Sequence, residues 1–181
     1  MTVRSASEIL DFWFSDAVEQ AWFARSEAVD REIAERFSAT YEAARAGELD
    51  GWKGAADSAL ALTISLDQFP RNLFRGSARA FESDPLALAS AKHGLAQGYD
   101  QAVGDRQRQF FYLPLMHSED LDDQTRCVAL YRDLGDEHAL GFAIEHRDII
   151  ARFGRFPHRN KALGRRNTEA EAAFLEHHSG F

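Results

Sequence analysis

The chain has 181 residues, of which 45% are hydrophobic and 28% charged, with a formal net charge of −8 and a single cysteine. A chain of that length buries roughly 70% of its unfolded surface and needs no staples. The lone Cys127 excludes an internal disulfide, and the acidic balance argues against nucleic acid, whose binding depends on phosphate neutralisation.

Glu8 and Asp11 interrupt the apolar stretch of residues 1–15, which spoils a signal-peptide core. No run approaches the roughly 18 apolar residues of a membrane span. The expectation is a cytoplasmic protein with no membrane partner. Phe12, Trp13, Phe14, Trp22, Phe23 and Trp52 read mostly as core. Adjacent aromatics cannot all face inward on one helix, so one of each pair is expected at a cleft or interface.

Residues 27–46 carry Val29, Ile33, Phe37, Tyr41 and Ala44 at spacings of three and four, an amphipathic helix closed by Gly47. Residues 59–69 fit two periods. Leu60, Leu62, Ile64 and Leu66 alternate like a strand, whereas Ala59, Leu62, Leu66 and Phe69 form a helical stripe. No second strand exists to pair with the first reading, so helix is expected. Asp84-Pro85 reads as N-cap and first position of a helix that fades at Gly98. Asp105 caps another, which Pro114 is expected to interrupt. Residues 120–134 end at Gly135, with Ser118 expected as their N-cap. Residues 136–153 place Phe142, Ile149, Ile150 and Phe153 on one stripe and end at Gly154. Thr168 and Glu171 form a capping box. The expected architecture is one all-α domain, residues 1–181, of about seven or eight helices.

The charge is unevenly spread. Residues 1–70 and 118–145 are acidic, but residues 147–166 hold seven basic side chains against Asp148 alone, and residues 71–79 add Arg71, Arg75 and Arg79 with no acid. These two basic islands coincide with an internal echo, Phe69-Pro70-Arg71-Asn72 and Phe156-Pro157-His158-Arg159-Asn160. Eighteen of the 21 cationic residues are arginine, whose planar fork suits carboxylate and phosphate. Two readings stand side by side: a convergent anion site, or helix-stitching pairs such as Asp67 with Arg71 and Asp148 with Arg152.

Leu66-Asp67-Gln68-Phe69-Pro70-Arg71-Asn72, Phe111-Tyr112-Leu113-Pro114-Leu115-Met116-His117-Ser118-Glu119, His146-Arg147-Asp148-Ile149-Ile150 and Gly154-Arg155-Phe156-Pro157-His158-Arg159-Asn160 resemble the bacterial family called domain of unknown function 924. Phe12-Trp13-Phe14, Trp22-Phe23, Leu163-Gly164-Arg165 and Phe174-Leu175 carry the same resemblance, which covers nearly the whole chain. It implies an all-α fold similar to tetratricopeptide-repeat superhelices, and it implies no biochemical activity. The tail from Ala172, with His177-His178, departs from the resemblance and receives no role.

Three polar clusters could carry chemistry. His117 and Glu119 are spaced as an acid–base or metal pair, but the Pro-Cys-x-x-Cys that a zinc deaminase needs is absent. His146-Arg147-Asp148 looks like a kinase catalytic loop, yet Phe153 stands where that loop needs asparagine. His158, Arg159 and Asn160 sit in a loop where either backbone hydrogen bonding or function is served. Cys127 reads as packing, and the ligands of a structural zinc site are lacking. The sharpest expectation is a binding module. Arg71, Asn72, Arg75, Arg155, His158, Arg159 and Asn160 would recognise an anionic small molecule or peptide carboxylate, with no cofactor and no metal. The alternatives are a hydrolase or isomerase using His117, Glu119, His146, Asp148 and His158, with or without a divalent metal, and a protein–protein scaffold.

Overall fold

The computed structural model describes residues 2–22, 24–178 and 180, and among them the chain is helical with no strand. Phe23, expected among the core aromatics, lies outside the described residues. The chain divides into two compact units. The first comprises residues 1–75 and 79–114, the second residues 76–78 and 115–181.

The first unit contains α1 (Ala6–Trp13), α2 (Asp16–Glu19), α3 (Glu27–Arg45), α4 (Ala56–Asp67), α5 (Phe69–Leu73), α6 (Asp84–Ala96) and most of α7 (Asp105–Met116). Its centre is α4, the segment that fitted both a strand and a helix. Every residue from Ala59 to Asp67 is buried. The expected helix is present, and a helix buried all round has no polar face, so its apolar residues fit a strand period as well as a helical one. Its polar members are satisfied locally. Ser65 Oγ donates to Ala61 O at 2.7 Å, Thr63 Oγ1 shares a 2.9 Å hydrogen bond with Ser90 Oγ of α6, and Ser83 Oγ donates to Leu66 O at 2.7 Å. α6 approaches closely because Gly94 is small: a Cβ there would lie 2.6 Å from Cε1 of Phe111.

Several local expectations are corrected. Ser83, not Asp84, is the N-cap of α6, and Asp84 is its first residue. Asp105 likewise is the first residue of α7 rather than a residue before it. Pro114 does not break α7, which continues to Met116. The proline forfeits only the one bond it would give to Phe110, and Phe110, Phe111, Tyr112, Leu113, Leu115 and Met116 are all buried in compensation. Phe12 and Trp13 are adjacent yet both buried, because Phe12 packs on Phe37 and Trp13 on Phe69 and Phe110.

The second unit is built on α8 (Leu121–Leu134) against α9 (Glu137–Phe153), followed by a 3-10 turn (Pro157–Arg159) and α10 (Glu169–Leu175). Gly135 and Gly154 close α8 and α9 in left-handed conformation, with φ of +77° and +67°. Asp120, not Ser118, caps α8, its side chain accepting from the N–H groups of Asp122 and Asp123. Ser118 instead donates to Asp123 Oδ2 at 3.0 Å. Phe142 is exposed and off the buried stripe, while Ile149 and Ile150 face inward against Phe156. The Thr168–Glu171 capping box is present. No helix of the described residues is long and apolar enough to cross a membrane.

Candidate functional site

The site in the second unit is organised by Phe156, which is fully buried. Gly154 ends α9 and lets the chain turn, so that Phe156 folds back on Ile149 and Ile150. Three nitrogen-bearing side chains then surround its ring. His146 lies edge-on with ring centroids 5.6 Å apart, His158 is tilted at 5.5 Å, and the Arg159 guanidinium carbon stands 4.5 Å from the centroid. Arg159 is 6% exposed.

Glu119 fixes this turn from the loop between α7 and α8. Its Oε1 accepts the backbone N–H of Phe156 at 2.8 Å, and Arg165 grips both oxygens, at 2.7 and 2.9 Å. Burial raises the Glu119 carboxyl pKa, but Arg165 and the Phe156 N–H outweigh it and hold the group below its ordinary value. Arg165 also donates to Phe156 O and to Asn160 Oδ1, while Asn160 Nδ2 donates to Asn167 Oδ1 at 2.8 Å. Glu119 and Asn160 therefore act as braces.

The histidines report the local potential. Burial first, and then the charges of His117, Arg159 and His158, push His146 down to about 3, against the opposing bond to Phe142. Burial followed by Arg159, His178 and His117 pushes His158 down to about 4, Glu119 acting in the other direction. Both rings are neutral at pH 7. A carbonyl can only accept, so the 2.8 Å contact of His146 Nδ1 with Phe142 O places the proton on Nδ1 and the lone pair on Nε2.

The remaining predicted residues lie elsewhere. Arg155 is held by Glu171, whose oxygens lie 2.5 and 2.8 Å from its Nε and Nη2. Arg155 first, and then the Thr168 N–H, drive Glu171 down to about 2. Both residues line an open groove of about 530 Å³ with Arg152, Phe153, Thr168 and Ala170. Asp148 is exposed and pairs with Arg147 rather than Arg152. Arg152 instead lies over Phe153, its guanidinium carbon 4.7 Å from the centroid, where stacking replaces the ion pair.

In the first unit, Arg71 makes a bidentate pair with Asp84 at 2.8 and 3.1 Å and also meets Asp67 Oδ1 at 3.5 Å, the expected i,i+4 contact. Asn72 and Arg75 both donate to Asp30. Burial pushes the Cys127 thiol pKa up, which makes the side chain an inert packing group. Among the described residues, no group of three or more His, Cys, Asp or Glu side chains is placed to hold a metal ion.

Sequence reasoning named His146, His158 and Arg159 but not the ring they share. It also left out Arg165 as the brace of Glu119, and His178. The spacing of one aromatic between Gly154 and Pro157, bracketed by basic residues, is the signal that points to the first.

The architecture defines an all-helical protein with a buried histidine–arginine cluster. The chain belongs to the family of bacterial proteins of unknown function DUF924, whose family model matches residues 9–179. It is also similar to a solved structure of a protein of unknown function from Agrobacterium tumefaciens. The two share 47% sequence identity over 96% of this chain and 97% of that one, with a TM-score of 0.91. No curated protein matches.

Proposed function

We propose that the second unit binds a small oxyanion, a phosphoryl or carboxylate group, at the cluster of His117, His146, His158 and Arg159. One observation carries this reading. His146, His158 and Arg159 bring three nitrogen-bearing side chains onto a single buried ring. Burial first, and the charge of Arg159 among the smaller causes, keep the two imidazoles neutral. An anion is the ligand that a guanidinium and imidazole N–H donors favour.

Acid–base catalysis fits these groups less well. An efficient general base titrates near the working pH, and imidazoles held at about 3 and about 4 are weak bases. The Arg71, Asn72 and Arg75 set contributes less to the reading than the sequence suggests, since each of its members meets a carboxylate of its own unit.

Thermal unfolding in inorganic phosphate, sulfate and acetate tests the proposal on wild type and His158→Ala. An oxyanion at 100 times its Kd adds about 2.7 kcal/mol of stability, which for a chain of this size raises Tm by roughly 2–4 °C per kcal/mol. The rise is expected in wild type and absent in His158→Ala. No rise with any of the three anions contradicts the proposal.

A further inference from the structure

The segment that follows α10 folds back over the 3-10 turn of the second unit. The N–H groups of His177 and His178 donate to Phe174 O at 3.2 and 3.1 Å, and the His178 ring stacks on Phe174 with centroids 4.7 Å apart. The two ring nitrogens of His178 make bonds of opposite sense. Nε2 lies 3.1 Å from Glu145 Oε1, and Nδ1 lies 3.2 Å from the backbone N of Gly180. A carboxylate accepts and a backbone N–H donates, so a single neutral tautomer, protonated on Nε2, satisfies both.

Gly180 then lies directly on His158. A Cβ at that position would stand 3.1 Å from both Cβ and Cγ of His158, and the backbone φ is +102°. Only glycine accepts both constraints without strain. His178 is also one of the groups that act electrostatically on His158, as its position beside the ring requires.

We propose that Glu176, His177, His178 and Gly180 form a strap, latched by His178 between Glu145 and Gly180, that covers the His158 imidazole and controls entry of an oxyanion to the cluster. The covering itself stands on the contacts of His178 and Gly180. The identity of what enters rests on the oxyanion reading.

The two are separated by measuring the rate of diethyl pyrocarbonate modification at each histidine, by peptide mass spectrometry, in wild type, His178→Ala and Gly180→Ala. His93 and His138 serve as references. The first variant removes both latch bonds and the second drives a methyl group into His158. Losing hydrogen bonds of this kind exposes His158 roughly 2- to 10-fold more often, so its modification accelerates by that factor in both variants while the references are unchanged. An unchanged rate at His158 in both variants, with Tm preserved, overturns the strap. Millimolar inorganic phosphate is then added to His178→Ala. Slower modification of His158 upholds the oxyanion reading. Absence of protection overturns that reading and leaves the strap standing on the accelerated rate.

Discussion

The two Phe-Pro segments carry nearly the same residues and do different chemistry. At Phe69-Pro70-Arg71-Asn72, the buried phenylalanine is followed by side chains that end on carboxylates of the same unit: Arg71 on Asp84 and Asp67, Asn72 on Asp30. At Phe156-Pro157-His158-Arg159-Asn160, the buried phenylalanine gathers His146, His158 and Arg159, and the carboxylate beside them is spent on Arg165. A sequence motif therefore sets where a basic side chain sits, while residues distant in the chain decide what it meets.

The comparison is broken most forcefully at the rings. Phe69 and Phe156 are both fully buried, so Phe69→Ala and Phe156→Ala should each cost about 3–5 kcal/mol in urea unfolding. If one costs under about 1 kcal/mol, the two rings are not equivalent plugs. Arg71→Ala leaves the buried Asp67 and the half-buried Asp84 without their guanidinium, and about 3 kcal/mol is expected. That variant should keep the phosphate response of wild type. Losing the response instead would tie the first segment to the site.

Glu119→Gln weakens the charge-assisted grip of Arg165 and should cost about 2 kcal/mol. His158→Ala sits at the other extreme, with about 1 kcal/mol lost and the phosphate response gone.

The remaining effect is on pH dependence. His146 and His158 titrate at about 3 and about 4 in the folded chain, whereas an unfolded histidine titrates near 6.5. Between those values the unfolded state binds more protons. The stability contribution is thus complete above about pH 6.5 and lost as pH falls toward 4 and 3. Unfolding measured at about pH 7.5 and about pH 5 should show wild type losing more stability than His146→Gln. Equal losses would mean that His146 is not held neutral.

Legibility in the sequence followed exposure. α3, α8 and α9 each keep a polar face, and their apolar spacing and closing glycines announced them. α4 was correctly read as a helix, but only because no second strand existed to pair with it, since burial on all sides lets the apolar residues fit a strand period as well. α2 and α5, of four and five residues, are too short to hold one. Caps misplaced by one or two residues, at Ser83 and Asp120, reflect competition among neighbouring Ser and Asp side chains that local rules rank alike. The site was half legible. The basic islands were visible, but the partners that neutralise Arg75 and Arg155 stand 45 and 16 positions away. The pairing of His178 with Glu145 spans 33 positions, beyond any local pattern.

The most direct measurement is an NMR titration of the histidine imidazoles with inorganic phosphate. Binding at the cluster should give saturable shifts at His117, His146 and His158, and should raise the His158 pKa from about 4, because an adjacent anion stabilises the imidazolium. Imidazole resonances and a His158 pKa that do not respond to phosphate would contradict an oxyanion site at the cluster.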